Sequence, residues 1–451
     1  MELPPAGGAR VSTAGVSTAS SVGYAHIVAL DGNLPNGFVI FEFYLGNSLG
    51  TEALFPIPSS MTSGRFAVDI KPGINTAIAL TNPNGKSARV EFLFRDSNGV
   101  PLREGSVEVP AQSHLSRYLT EKPFYAGSSL VTGTFTFNSD VPISVLGLRI
   151  DRKPSRLIFS RIAVNDASIV DRKRRLIPYF ITGGGWTSQV VLMNPSDREL
   201  YGRLEYAFSD SPPSGQAETN EMEYTIPPQG VRRLVLPGSS VSRPGYALVR
   251  PAGGTATPFA SVLLLREDGS APADHASMEA VAPGSVQTLY VARKDESLAT
   301  RVVVVNFSDK PTTVRMDLTN LDSMPAGPSR SLILPARGVW SATLDEIENG
   351  RFFLPKSFRG ILRIQAEAGH EIAGLSVRYR NDRSNLDILS LMPPIEALAS
   401  PTRGTMVFPH MVDSGGYISR FVLLNRSESM SSTLVLRFLS SSGKPMPLLV
   451  H

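Results

Sequence analysis

The chain has 451 residues, 42% hydrophobic and 19% charged, too many for one ordinary core and too apolar for disorder. It contains no cysteine, which excludes disulfides, thiolate nucleophiles and Cys-ligated metal. A formal charge of +4, spread over this length, does not point to nucleic acid.

No apolar run reaches the ~18 residues that read as a membrane-spanning helix. The start, MELPPAGG, has neither the basic nor the apolar region of a signal peptide. With 38 glycines and 35 prolines, many short strands are expected rather than long helices.

In chain order, the first strong element is NGFVIFEFYLG, followed by RFAVDIKPGIN and NTAIALTNPNG. SARVEFLFRDSNG alternates, with Val90, Phe92 and Phe94 on one side and Arg89, Glu91 and Arg95 on the other. That period of 2 predicts a strand with one face on a core and one toward water. Asn98-Gly99 is a hairpin signal. PISVLGLRID closes the stretch, and DASIVDRKRRLI, with Arg172, Lys173, Arg174 and Arg175, reads as a solvated connector. The order then recurs through LIPYFITGGGWTS, TSQVVLMNPSD and PFASVLLLRE, and again through LYVARKDESLAT, TRVVVVNFSD and EIAGLSVRYR. Helical periodicity is nearly absent; ATLDEIENG predicts a turn or two.

Four stretches share an apolar strand, an Asn and a polar turn, the fourth being ISRFVLLNRSE. Their asparagines, Asn82, Asn194, Asn306 and Asn425, lie 112, 112 and 119 residues apart. The spacing predicts an all-β chain of tandem immunoglobulin-like antiparallel β-sandwiches, about 112 residues per repeat, with seven or eight strands each. The expected units are 63–168, 174–284 and 285–398, with partial units at 1–62 and 403–451.

The partial units match in phase. Aligning Gly443 with Gly99 puts His451 opposite Val107, and aligning Leu3-Pro4 with Val109-Pro110 puts Met1 opposite the same residue. Half a sandwich leaves an open strand edge and an exposed half-core. Three arrangements follow. The C-terminal part of one molecule is completed by the N-terminal part of the next, giving a head-to-tail homopolymer. The ends meet within one chain and close a ring. Or the sequence is a fragment of a longer array. The first places a subunit seam at Glu2, Leu3, Pro4 and Pro5 against Leu448, Leu449 and Val450.

No chemistry-bearing motif emerges: there is no G-x-S-x-G elbow, phosphate loop or calcium loop. The six histidines show no ligand spacing, so no catalytic residue, metal or cofactor is assigned. Gly183-Gly184-Gly185 before Trp186, and Gly415-Gly416 before Tyr417, read as hairpin turns needing positive φ. Trp186 and Tyr417 are the candidate ligand-facing aromatics. The repeated Asn is expected to bond its own backbone in a turn. Arg149, Arg266 and Arg378 are expected to flank the sandwich ends. The sequons at Asn306 and Asn425 overlap the structural turn.

FPHMVDSGGYISRFVLLNRSES and IPYFITGGGWTSQVVLMNPSD resemble a repeat of large secreted bacterial proteins with tandem immunoglobulin-like modules. In that repeat, F-P-x-F-x-x-G-G-G-W-x-T precedes a strand ending V-N-P-[ST]-D. The third unit departs from it, with RKDES replacing the glycines. The resemblance implies an extracellular or cell-surface, non-enzymatic structural or adhesive protein. A carbohydrate- or protein-binding module of a larger secreted protein is the alternative.

Overall fold

The computed structural model describes residues 1–124, 131–153, 156–209, 219–268, 271–294, 297–348, 354–381, 387–395 and 404–451. The boundaries expected at 398 and 403, and residues 295–296 of the RKDES stretch, lie outside them. The chain is almost wholly β; the short helix Leu344–Glu348 lies within the ATLDEIENG stretch.

The strands form four double-layered bodies. A terminal body uses both ends of the chain: Thr405–Asp413, Tyr417–Leu424 and Ser432–Ser440, then Glu2–Leu3, Gly8–Ser12, Ser21–Asp31, Asn36–Leu45 and Ser48–Pro56. Counted in that order, its sheets pair first–sixth–third–fourth and fifth–second–seventh–eighth. The third body, from Arg175–Thr182 to Ala271–Glu279, has the same two pairing orders. So do the second body, from Met61–Ile70 to Arg156–Ile162, and the fourth, from Val286–Lys294 to Asp387–Met392. In the second body one long strand, Val131–Lys153, serves as both sixth and seventh and ties the two layers together.

The repeated asparagines do more than start turns. Asn82 Nδ2 donates to the carbonyls of Lys86, Val109 and Pro110, at 2.8, 3.0 and 3.1 Å. Asn194 reaches Arg198, Ile226 and Pro227, and Asn306 reaches Lys310, Leu334 and Pro335. Asn425 reaches Met430 at 2.7 Å, then crosses to Leu3 and Pro4 at 3.2 and 3.0 Å. Each Oδ1 also accepts from the backbone N–H two residues on. A buried amide that uses both its acceptor and its donors fixes the end of the second strand to the end of the fourth. Six residues earlier sits a hydroxyl: Thr76, Ser188, Thr300 or Ser419. It donates to a carbonyl of the first strand and accepts the same residue's N–H.

The turn after the fourth strand repeats as well. Gln112, Gln229, Arg337 and Ala6 all have positive φ, between 49° and 60°. The alignment of Leu3-Pro4 with Val109-Pro110 is therefore realised atom by atom, between residues of one chain.

The seam is intramolecular. Leu3 is fully buried and pairs with Ser432, and Glu2 with Thr433. Pro4 and Pro5 form the turn, whose Pro4 carbonyl accepts from Gly7 at 3.0 Å and whose Pro5 carbonyl accepts from Ser323. On the other side, Val450 bridges Thr13, Leu449 O accepts from Ala14 at 3.0 Å, and Leu448 packs on the core holding Leu3. Within this single chain, the edges that a head-to-tail polymer would use pair with one another.

The bodies form a closed ring. In each second strand, alternate residues face the body's own core while the others face a neighbour. Val302 and Val304 lie in the fourth body's core, whereas Val303 and Val305 join the third body's. Phe421 and Leu423 stay home, while Val422 and Leu424 pack on Tyr290 and Ala292 of the fourth body. Ile78 and Leu80 stay in the second body's core, and Ala79 packs on the terminal body. Val191 and Met193 of the third body pack on Ala67 of the second. A sheet buried on both faces explains the continuous runs VVLM, VVVV and FVLL. The heterologous contact closes after four bodies.

Two outcomes follow. Asn425→Ala orphans the carbonyls of Leu3, Pro4 and Met430, and should cost about 1–3 kcal/mol by urea unfolding. Light scattering over a hundredfold concentration range should give one mass near 48.6 kDa; concentration-dependent growth would show that the ends pair between chains instead.

Candidate functional site

The eighth strands, Ser48–Pro56, Arg156–Ile162, Ala271–Glu279 and Asp387–Met392, contact one another in a cycle around the centre of the ring. Register places Glu42 opposite Glu52, Arg149 opposite Ser160, Arg266 opposite Asp274 and Arg378 opposite Ser390. Arg149 and Arg378 therefore sit inside the ring, each 5% exposed, rather than flanking sandwich ends. Their carboxylate partners are buried with them.

At the joint of the terminal and fourth bodies, Arg380 Nη1 donates to Glu42 at 2.6 Å and Arg420 Nε at 2.8 Å. Arg378 Nη2 and Ser390 Oγ donate to Glu52 at 3.1 and 2.9 Å. Burial pushes the Glu42 carboxyl upward, but the charges of Arg420 and Arg380 outweigh it and hold it down at about 2.

Between the second and third bodies, Arg149 Nη1 donates to His275 Nδ1 at 2.8 Å, while its Nε donates to Asp69 Oδ2 at 3.4 Å. Burial, then the charge of Arg149, pushes His275 down to about 3. Asp274 accepts from its neighbour's N–H and from Leu389 N at 2.5 Å. Even so, burial lifts it to about 7. Between the terminal and second bodies, His114 Nε2 meets His410 Nδ1 at 3.3 Å, with the rings stacked. Among the described residues, no group of three or more His, Asp or Glu could hold a metal ion.

At one mouth of this axis the four bodies leave a cleft of about 660 Å³. Its walls come from all four bodies and from the segments joining them, including Pro58, Asp171, Val281 and Pro394. Arg161 and Glu279 are ion-paired across the second and third bodies at its floor.

The sequence-selected aromatics do not line the cleft. Gly183 and Trp186 exchange backbone bonds around Gly184 and Gly185, both with positive φ, and Ser414 and Tyr417 do the same around Gly415 and Gly416. These are hairpin turns with both central residues at positive φ. Trp186 lies against Arg266, 5.7 Å from its ring centre, and Tyr417 against Phe43 at 4.6 Å. Both also pack on their cores. Within the basic connector, Arg175 pairs with Asp171 and Arg174 lies over Phe307, leaving Arg172 and Lys173 exposed.

The buried acids Glu42, Glu52, Asp69 and Asp274 were not singled out by spacing. The signal was present in NGFVIFEFYLG, where Glu42 interrupts an apolar run within the strand equivalent to those that carry Arg149, Arg266 and Arg378.

No family model matches the chain, and no curated protein matches it. Among solved structures, the chain is similar to the T13 infectious bursal disease virus particle, at 10% identity and a TM-score of 0.13, over 96% of this chain and 78% of that one. It is similar also to the VP2 subviral particle of that virus, at 7% identity and a TM-score of 0.12, over 96% and 82%.

Glu42→Gln leaves Arg420 without a charged partner and Arg380 with Glu52 alone at 3.4 Å, and should cost about 3–5 kcal/mol in urea unfolding. The histidine pair sets a pH dependence. Burial pushes His114 down to about 3 and His410 to about 4, so below about 6.5 the unfolded chain takes up protons that the folded one does not. The pair therefore withdraws stability as pH falls from 6.5 toward 4. Asp274 has the opposite sign, its contribution being full at low pH and lost as pH rises through about 7. His410→Phe should gain about 2 kcal/mol over the unsubstituted chain on going from pH 7 to pH 4.5; parallel stability curves would exclude this role. Finally, Asn306 and Asn425 are 0% and 6% exposed with their amides fully engaged. Peptide mass mapping after expression in a glycosylating host should show neither modified.

Proposed function

We propose that this chain is a non-enzymatic structural and binding scaffold that works outside the cell or on its surface. The observation that supports this most is the closure of four alike bodies into one ring, in which Asn425, near the C-terminus, holds the carbonyls of Leu3 and Pro4. The buried ionisable groups at the centre are spent on one another across the joints, which suits a rigid frame. The resemblance of the glycine–asparagine segments to secreted bacterial modules supports the extracellular setting.

Self-assembly into a head-to-tail filament requires residues 1–56 to leave their own ring for the next one. Because those strands already have partners in the same chain, the working form we propose is the closed single ring. Carbohydrate binding through Trp186 and Tyr417 is less favoured, since each ring is engaged by its cross-strand neighbour. Fractionation of the producing cells with an antibody to the ring should place it in the medium or at the surface. Confinement to the cytoplasm would overturn the proposal.

A further inference from the structure

The joint between the second and third bodies encloses more positive charge than its carboxylates match. On the third body's side, register sets Arg233, Val191, Ser261 and Glu279 in one row across the sheet. Arg233 Nη1 donates to Gln189 Oε1 at 3.2 Å, and its Nη2 crosses the joint to the Val68 carbonyl at 3.4 Å. Among the described residues, no carboxylate lies within ion-pairing distance of this guanidinium.

The acids nearby are already taken. Asp69, whose charge acts on Arg233, accepts from Arg149 Nε at 3.4 Å and lies 4.0 Å from Lys71 Nζ. Asp151 stands 3.3 Å from Lys153 and 3.8 Å from Arg149, and Glu279 pairs with Arg161. At the same joint Arg65, 5% exposed, donates to Thr136 and to the Asn194 carbonyl. It too has no carboxylate partner among the described residues, and burial, then the charge of Arg95, pushes it down to about 10. Buried charges are ordinarily paired, because taking an ion out of water is costly. Here the unmatched sign is positive.

Arg149, Arg161, Arg233 and Asp69 line one cavity of about 50 Å³ at this joint, with the Ser261 side chain on its wall. A single water needs about 10–15 Å³, so the space admits one small ion and a water or two. Ala67, Ile162, Val191 and Leu263 supply apolar walls, which strengthen the field of the guanidinium groups. Arg233 is half-buried rather than sealed, so an ion can reach it from solvent.

We propose that this cavity binds one small monovalent anion, a halide or an oxyanion of nitrate size, held by Arg233 of the third body together with Arg149 and Arg161 of the second. The ion bridges two bodies and supplies the negative charge that the joint lacks. This inference goes beyond the scaffold reading and does not depend on where the chain works.

The experiment melts the full chain at constant ionic strength while sodium chloride replaces sodium gluconate, whose anion is too large for the cavity. The expected result is a thermal midpoint that rises by about 3 °C and saturates, as binding to the folded form requires. Two variants locate the effect. Arg233→Met removes the unmatched charge and keeps an apolar stem, and Ser261→Leu fills the cavity with every charge in place. In gluconate both should melt within a few degrees of the unsubstituted chain, and in both the response to chloride should disappear. A purely structural role for either residue would shift the two salt curves in parallel. Ser261→Leu alone decides should Arg233→Met not fold. A midpoint indifferent to chloride, a rise that does not saturate, or a response that either folded variant retains would overturn the proposal.

Discussion

A sheet buried on both faces needs two covers, and that requirement organises this molecule. The second strand of every body is apolar at consecutive positions, with Val302 to Val305 all within 2% of full burial. One face meets the body's own opposite sheet; the other would lie open in an isolated body. Each body therefore depends on its neighbour, and a linear row would leave one such face exposed at an end. Closure into a ring removes that end. With the termini meeting, every double-faced sheet of the chain is covered.

Closure also has an entropic side. Met1 N bonds to Leu434 O across 433 positions, and a flexible loop of that length would cost on the order of 5 kcal/mol to close. The three intervening bodies reduce that cost, because once docked they hold the termini close together. The local clasp then needs only short-range chemistry: Leu3 in the core, Asn425 on two carbonyls, and Val450 beside Thr13.

Much of this was legible in the residues. Alternation in SARVEFLFRD corresponds to Ala88, Val90, Phe92 and Phe94 buried, with Arg89 and Glu91 exposed and Leu93 and Arg95 half-buried between and beside them. The glycine runs before Trp186 and Tyr417 correspond to hairpin turns at positive φ. The phase match of the termini was visible because turn chemistry is local: Pro4 and Ala6 repeat the backbone of Pro110 and Gln112. Choosing between closure within a chain and between chains was not possible from phase alone, since both use the same contacts. The ring signal lay in the runs VVLM, VVVV and FVLL, whose lack of alternation is the mark of two-sided burial. The central acids were harder to read. Glu42 becomes meaningful only once Arg378, Arg380 and Arg420, distant in sequence, are brought around it.

Those charges address a problem that apolar packing leaves open. The four joints use equivalent strands and similar aliphatic side chains, so hydrophobic burial alone does not fix the register at which neighbouring bodies meet. The polar groups differ at each joint. Glu42 and Glu52 meet three arginines between the terminal and fourth bodies. Arg149 meets His275, and Arg161 meets Glu279, between the second and third. His114 meets His410 between the terminal and second bodies, and Tyr179 meets Tyr379 at 3.2 Å between the third and fourth. A buried charge set against the wrong partner would cost several kcal/mol, more than one aliphatic exchange recovers. Burying the ion pairs adds little net stability of its own, because desolvation offsets much of the attraction. Chain connectivity sets the order of the bodies, and these unlike polar contacts make each joint distinct in the register at which its strands meet.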